Sequence, residues 1–317
     1  MSAREPGELL KEARSGSRGA LARLLTYVES GGERQRATAA LTYVAPAPYV
    51  VGITGAPGGG KSTLTDQLIG VALTRTLDGS AIDEVGVLCV DPSSPFTGGA
   101  ILGDRIRMQA HATDARVYIR SMATRGHLGG LSLAVPDALH VLGAVGFALS
   151  FVETVGVGQL EVEVASSADT TIVVINPGWG DAMQANKAGL LEVADVFVIN
   201  KADRTGVAET RRDLAQMLDL GGEREWRPPI IDTVATSGDG VETLMDAILE
   251  HRAFVDGRSH DTRRARARTE LDRVLAALVR ARIGDLADGA AYEEQIDALV
   301  AGTTDPYRAA ESLLETP

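Results

Sequence analysis

The sequence of 317 residues contains a single cysteine, Cys89, and this scarcity narrows the possible classes of protein. One cysteine excludes a disulfide framework and any zinc site built from several thiolates. The surrounding residues 85–90 are apolar and rich in valine. We therefore predict that Cys89 is a small core residue on a buried strand.

Long hydrophobic runs are absent as well. The most apolar stretch, residues 139–152, has about 14 residues and contains His140, whereas a membrane-spanning helix needs roughly 20 apolar residues. The first residues show no apolar run behind a basic start, so they do not resemble a secretory signal. These features lead us to expect a cytoplasmic protein without a membrane partner.

Positive charge is scarce, and lysine is especially rare. The chain has 43 acidic and 31 basic residues, which gives a net charge of −12. Only four of the basic residues are lysines, at Lys11, Lys61, Lys187 and Lys201. A net acidic chain lacks the basic surface of a sequence-independent nucleic-acid binder, so we expect no nucleic-acid partner. With 44% apolar residues, the chain can nevertheless bury a sizeable core.

Short apolar runs alternate with helical patterns over most of the chain. Seven runs are predicted to be strands: Tyr49–Thr54, Val85–Val90, Val117–Ile119, Ala148–Glu153, Thr170–Asn176, Val196–Asn200 and Ile230–Ala235. Such strands, separated by helices, predict an α/β fold with a mostly parallel sheet covered on both faces. We predict an N-terminal helical extension over 1–45, an α/β domain over 46–256 and a helical arm over 257–317.

The helical arm carries an apolar stripe at helical spacing. The stripe consists of Leu271, Val274, Leu275 and Leu278. It either packs against the sheet domain or forms a dimer seam, and the spacing alone is compatible with both.

A phosphate-binding loop follows the first predicted strand. Residues 55–62 match the G-x-x-x-x-G-K-[ST] pattern without a mismatch, and an apolar helix follows them. In such loops, backbone N–H groups surround phosphate oxygens, the lysine contacts the β- and γ-phosphates, and the hydroxyl binds Mg²⁺. The predicted nucleotide contacts here are Gly55, Ala56, Pro57, Gly58, Gly59, Gly60, Lys61, Ser62 and Thr63.

A second motif predicts that the base is guanine. Asn200, Lys201 and Asp203 follow an apolar strand, at the sheet edge where open α/β folds bind ligands. The carboxylate of Asp203 can accept both the ring N–H and the amino group of guanine, a donor pair that adenine lacks. Asn200 can brace the loop, and the stem of Lys201 can lie across the ring. A further base-contact loop is expected at Val234, Ala235 and Thr236.

Acidic residues between these two motifs are candidate magnesium ligands. Asp91, Asp104 and Glu153 lie at strand ends or in glycine-rich loops. Each, taken alone, fits a solvated loop residue or helix cap better, but their order relative to the phosphate loop favours a metal role. Glu153 is followed by Gly156, a pattern typical of a switch that pairs a metal carboxylate with a γ-phosphate contact.

The usual water-orienting glutamine is missing from this switch. Val157 stands in its place, while Gln159 lies two residues further and Arg107 is the nearest candidate for stabilising transition-state charge. We therefore expect slow intrinsic hydrolysis that a partner accelerates. The predicted catalytic residues are Lys61, Glu153, Gly156 and Arg107.

Several longer segments resemble one family. Residues 90–108, Glu153–Gln159, Pro177–Asp181, Lys187–Gly189 and Asn200–Asp203 are similar to the MeaB/ArgK family, which includes the methylmalonic aciduria type A protein. The resemblance covers roughly 45–256. It implies a P-loop GTPase domain of the SIMIBI type, with N- and C-terminal helical extensions.

The resemblance also implies a function. Such proteins are homodimeric GTPases that bind GTP or GDP with Mg²⁺ and act as chaperones of an adenosylcobalamin-dependent acyl-CoA mutase. They gate cofactor delivery and protect the mutase, and a cobalamin adenosyltransferase is a possible further partner. The implied magnesium contacts are Ser62, Asp91, Asp104 and Glu153. Asp181 and Lys187 would couple the nucleotide state to the mutase, and the C-terminal arm would mediate dimerisation.

Two other functions stay open. A nickel-inserting GTPase of the same superfamily would need cysteine and histidine ligands, and this chain has one cysteine and five histidines. A P-loop kinase would need an acceptor site and would tolerate adenine, whereas Asn200–Asp203 predicts guanine.

Overall fold

The computed structural model describes residues 4–55, 57–91, 108, 111, 113–123, 130–154, 167–178, 192–220, 222, 224–256, 259–287 and 289–315. The chain divides into two compact units, Met1–Thr262 and Arg263–Pro317.

The first unit is organised around a parallel β-sheet. Its seven described strands are β1 (Tyr49–Gly55), β4 (Val85–Asp91), β5 (Val117–Ala123), β6 (Leu149–Thr154), β7 (Thr170–Ile175), β8 (Val196–Asn200) and β9 (Ile230–Thr233). Their order is β5-β4-β6-β1-β7-β8-β9, and each neighbouring pair is parallel. The strands β2 (Thr76–Leu77) and β3 (Ser80–Ala81) form a separate antiparallel pair. The predicted α/β fold with a mostly parallel sheet is confirmed.

The strand boundaries differ from the prediction mainly in β5. The apolar run ends at Ile119, yet β5 continues through the polar residues Arg120 and Ser121 to Ala123. Because β5 lies at one end of the sheet order, only one of its edges pairs with another of the described strands. Polar residues are tolerated at such a position, which explains why an apolar pattern underestimates this strand.

Seven helices lie wholly within the described part of the first unit. They are α1 (Pro6–Arg14), α2 (Arg18–Ser30), α3 (Gly32–Thr42), α4 (Lys61–Ala72), α5 (Gly130–Val145), α6 (Val207–Leu220) and α7 (Val241–Asp256). Ser17 caps α2 by accepting a hydrogen bond from the N–H of Ala20 at 3.3 Å. Gly31, with φ of +74°, separates α2 from α3. These three N-terminal helices all lie within residues 6–42.

Helices cover both faces of the sheet. On one face, α4 and α7 pack against β1, β4 and β6, and Cys89 is fully buried among their apolar side chains. On the other face, α1, α2 and α5 contribute to a core that includes Leu88 and Val152. A third cluster joins α6 to β7 and β8. The N-terminal helices therefore share a hydrophobic core with the sheet.

The C-terminal part is helical. Its helices are α8 (Ser259–Ala287), α9 (Ala290–Val300) and α10 (Pro306–Glu315). The predicted apolar stripe lies on α8, where its four side chains, Leu271, Val274, Leu275 and Leu278, are exposed. In the part of the chain that is described, none of the helices combines the length and the apolar character that a bilayer span requires.

Candidate nucleotide site

The candidate site lies where several parallel strands end. The strands β1, β6 and β8 finish at Gly55, Thr154 and Asn200, and parallel pairing brings their carboxyl ends to the same edge of the sheet. Open α/β folds bind their ligands at this edge. The two sequence motifs, more than a hundred residues apart, therefore meet in space.

Two glycines of the phosphate loop cannot be replaced without displacing their neighbours. Gly55 has φ of +129°, and a Cβ there would lie 2.0 Å from the carbonyl oxygen of Val174. Gly60 has φ of +87°, and a Cβ there would lie 2.4 Å from Asn200 Nδ2. Glycine tolerates both conformations and leaves room for this close approach. The loop is thus packed against β7 on one side and the base loop on the other.

Lys61 is the first residue of α4 and is held close to the loop. Its side chain is only 7% exposed, and Nζ donates to the carbonyl oxygen of Gly55 at 2.7 Å. A helix N-terminus attracts anions, and a lysine ammonium is a compact charge that suits phosphate. This arrangement places positive charge where the motif predicts the β- and γ-phosphates.

A cavity of about 140 Å³ separates the phosphate loop from the base loop. Its lining residues are Gly60, Thr63, Asn200, Lys201, Asp203, Arg204, Val234, Ala235 and Thr236. Eight of these nine residues belong to the predicted nucleotide contacts. Arg204 is the addition, and its position next to Asp203 is the signal that sequence reasoning overlooked.

Asn200 connects the phosphate loop with residues 233–235. Its Nδ2 donates to the carbonyl oxygen of Gly59 at 2.8 Å. Its Oδ1 accepts from the N–H of Ala235 and the hydroxyl of Thr233, both at 3.1 Å. The side chain is buried, so these bonds brace the base loop against the phosphate loop. In this structure the Ala235 N–H is engaged by Asn200.

Lys201 and Asp203 complete the base loop. Lys201 has φ of +60°, and its Nζ donates to the carbonyl oxygen of Gly58 at 2.7 Å. The lysine stem thereby crosses from the base loop to the phosphate loop. Asp203 is exposed at the cavity lining, where its carboxylate can accept hydrogen bonds from a base. The left-handed turn at Lys201 is a conformation that is uncommon outside glycine.

A buried oxygen pair at the start of α4 fits a magnesium ion. The hydroxyl of Ser62 lies 2.5 Å from Oε1 of Glu153, and Thr65 Oγ1 lies 3.2 Å from Oε2 of the same carboxylate. Glu153 is only 1% exposed. Carboxylate and hydroxyl oxygens are hard ligands of the kind that Mg²⁺ prefers. Ser62 and Glu153, two of the four predicted ligands, are thus adjacent in the structure.

Other predicted site residues lie outside the described part of the chain. These are Ala56, Asp104, Arg107, Gly156, Asp181 and Lys187, together with the side chain of Asp91. The backbone of Asp91 is described and ends β4.

Two further side chains contact the site without having been predicted. Thr65 faces Glu153, and Nδ2 of Asn176 lies 3.5 Å from the carbonyl oxygen of Gly58. Thr65 stands three residues after Ser62, which places both on one face of a helix. Asn176 directly follows β7, the neighbour of β1. The helix face shared with Ser62 and the position directly after β7 are the features of the sequence that could have identified Thr65 and Asn176.

A second buried polar network lies at the opposite, amino-terminal edge of the sheet. Thr170 Oγ1 is 2.7 Å from His251 Nδ1, and His251 Nε2 is 3.2 Å from Asp195 Oδ1. Tyr49 contacts Thr170 and donates to the carbonyl oxygen of Ile248 at 3.3 Å. Burial raises the pKa of the Tyr49 hydroxyl, so it remains a donor. Thr170 is fully buried, which excludes it as a nucleophile for an external substrate.

Comparison with known proteins identifies the family. The model of the methylmalonyl-CoA mutase-associated GTPase MeaB family matches residues 21–290. A GTPase-class protein of Pyrococcus abyssi is 46% identical over 315 residues, covering 97% of this chain and 95% of that protein. The mitochondrial methylmalonic aciduria type A homolog of Mus musculus is 34% identical and covers 76% of this chain and 62% of its own length.

A solved structure supports the fold. The crystal structure of an LAO/AO transport system kinase superposes with a TM-score of 0.69 at 24% identity, covering 99% of this chain and 98% of the other. Together with the site geometry, the match over residues 21–290 shows that this chain belongs to the MeaB family of P-loop GTPases.

Proposed function

We propose that this GTPase is a chaperone of an adenosylcobalamin-dependent acyl-CoA mutase, methylmalonyl-CoA mutase or a relative, acting in the cytoplasm. It gates delivery of the cofactor and protects the mutase. The observation that carries this proposal is the family match, because the family is described by its association with methylmalonyl-CoA mutase. The name of the mouse relative, which refers to methylmalonic aciduria, supports the same partner class.

The described side chains have distinct roles in this proposal. Lys61 neutralises the β- and γ-phosphates, and Asp203 selects guanine through paired hydrogen bonds. Ser62 and Glu153 would hold Mg²⁺, which supplies charge neutralisation on the phosphates when bound. Their short contact and burial support this assignment. The proposed site is completed by Asp91 and Asp104 as metal ligands, Gly156 at the γ-phosphate and Arg107 at the transition state.

Nucleotide state is coupled to the mutase through the segment 177–189, with Asp181 and Lys187 as the coupling residues. The protein is proposed to be a homodimer joined by the helical arm 257–317, with the α/β domain over 46–256 and the helical extension over 1–45. The exposed apolar side chains of α8 support a dimer seam. A cobalamin adenosyltransferase would be a further partner.

A GTPase assay with and without candidate mutases tests this proposal. We expect slow release of phosphate by the chain alone and a clear increase when the correct adenosylcobalamin-dependent acyl-CoA mutase is added. Lys187→Ala should reduce the ratio of stimulated to basal rate at least about tenfold, the effect of losing a charge contact of about 1.4 kcal/mol.

The matched control is Lys11→Ala, which removes the same charge from an exposed position on α1. It should keep the wild-type ratio. If none of the candidate mutases stimulates hydrolysis or forms a complex with the chain, the chaperone function is wrong while the GTPase assignment stands.

A further inference from the structure

Thr65 is a buried residue of α4 that contacts the proposed magnesium site from within the protein. It is fully buried, and its hydroxyl has two acceptors within reach. Oγ1 lies 2.9 Å from the carbonyl oxygen of Lys61 and 3.2 Å from Oε2 of Glu153. A threonine hydroxyl has one proton, so it donates to one acceptor at a time. A carboxylate that holds a metal ion is ionised, and a charged oxygen is the stronger acceptor.

Glu153 is held through both of its oxygens by hydroxyl groups of the same helix. Ser62 contacts Oε1 at 2.5 Å and Thr65 contacts Oε2 at 3.2 Å. A buried carboxylate requires such partners, because burial removes the water that would otherwise solvate the charge. The two hydroxyls are three residues apart on α4 and therefore contact the carboxylate from the same face of the helix.

The two hydroxyls differ in what a metal ion would do to them. Ser62 is the proposed metal ligand, so its oxygen would turn from Glu153 to a bound Mg²⁺. Thr65 lies about one turn after Ser62 in α4, and its hydroxyl can keep its hydrogen bond to Oε2 of Glu153. Hydrogen bonds to the second oxygen of a ligating carboxylate fix its orientation and commonly change metal affinity 10–100-fold.

We infer that Thr65 is a positioning residue that orients Glu153 for Mg²⁺, and thereby sets the Mg²⁺ concentration at which the protein binds guanine nucleotide tightly. This inference rests on the proposed metal site at Ser62 and Glu153. It assigns Thr65 no contact with nucleotide or metal.

The test is a binding titration that involves no hydrolysis. The full-length chain is titrated with fluorescent N-methylanthraniloyl-GDP at a series of free Mg²⁺ concentrations, and also in EDTA. The Thr65→Val variant keeps the shape of the side chain and removes its hydroxyl. We expect it to raise the Mg²⁺ concentration for half-maximal tightening about tenfold or more, with GDP affinity in EDTA within twofold of the wild type.

Two variants separate positioning from general stability. Thr65→Ser retains the hydroxyl and should restore the wild-type Mg²⁺ dependence. Thr38→Val is the matched control, because Thr38 is also fully buried on a helix and donates to the carbonyl oxygen of Arg34 four residues earlier at 2.8 Å. It should leave the Mg²⁺ dependence unchanged. If Thr65→Val does not fold, Thr65→Ala provides the same measurement.

The Mg²⁺ dependence of GDP affinity separates the role of Thr65 from the existence of the metal site. If the wild type shows a Mg²⁺-dependent affinity and the Thr65 variants share it unchanged, the positioning role is wrong and the metal site stands. If GDP affinity of the wild type does not depend on Mg²⁺, the metal site itself is wrong and the inference falls with it. An equal shift in Thr38→Val would attribute the effect to lost stability and overturn the role of Thr65.

Discussion

The two edges of the sheet both contain hydrogen-bonded polar side chains but use them differently. At the amino-terminal edge, Thr170, His251 and Asp195 bond to one another. At the carboxyl-terminal edge, Lys61 and Lys201 donate to backbone carbonyls of the phosphate loop. The lysines that rest on loop carbonyls can turn to a ligand, and so can the Ser62 hydroxyl, although Ser62 and Glu153 also satisfy one another. Burial of polar groups alone does not distinguish a site from a structural network.

The largest effect that separates the two edges is expected for Lys61→Ala. Loss of this buried ammonium should weaken GTP binding by about 4 kcal/mol, roughly a thousandfold in Kd, because the β- and γ-phosphates then lose the positive charge that the loop places beside them. The free energy of unfolding should stay within about 1 kcal/mol of the wild type. Calorimetric titration with GTP and urea unfolding give the two values, with Lys11→Ala as the charge-matched control. Retained GTP affinity would remove the argument from the phosphate loop.

His251→Ala is expected to lower the free energy of unfolding and to leave GTP affinity almost unchanged. His251 is 4% exposed and touches Thr170, Asp195 and Trp226, so its removal leaves buried polar atoms unsatisfied. The free energy of unfolding should fall by about 3 kcal/mol in urea, while GTP affinity changes less than about twofold. Glu250→Ala, on the exposed side of the same helix, should change neither value. A variant that lost GTP binding but kept its stability would reverse the roles of the two edges.

A smaller and more selective effect is expected for Asp203→Asn. The amide can accept only through its oxygen and carries no charge, so the preference for GTP over ATP should fall by about 2 kcal/mol, roughly 30-fold in the ratio of Kd values. Competition binding with the two nucleotides measures this ratio. Asp213→Asn on the exposed face of α6 is the control. An unchanged ratio would show that another group reads the base.

Local patterns predicted those parts of the molecule that depend on local chemistry. All seven strands of the parallel sheet coincide with predicted apolar runs, and the phosphate and base loops follow from motifs whose residues line one cavity. The contact of Thr65 with Glu153 joins residues 88 positions apart, and that of Thr170 with His251 joins residues 81 positions apart. Neither pair has a motif, because their partnership arises only when β6, β7, α4 and α7 pack together.

The hydrogen bond from Asn200 to Gly59 has a consequence for the evolution of specificity. The amide nitrogen of Asn200 donates to the phosphate loop, and the oxygen of the same side chain accepts from the N–H of Ala235 in the proposed base loop. A replacement for Asn200 loses this hydrogen bond unless it also donates to Gly59, whereas a change at Asp203 leaves the bond intact. Substitutions at position 200 are therefore expected to change nucleotide affinity and base preference together.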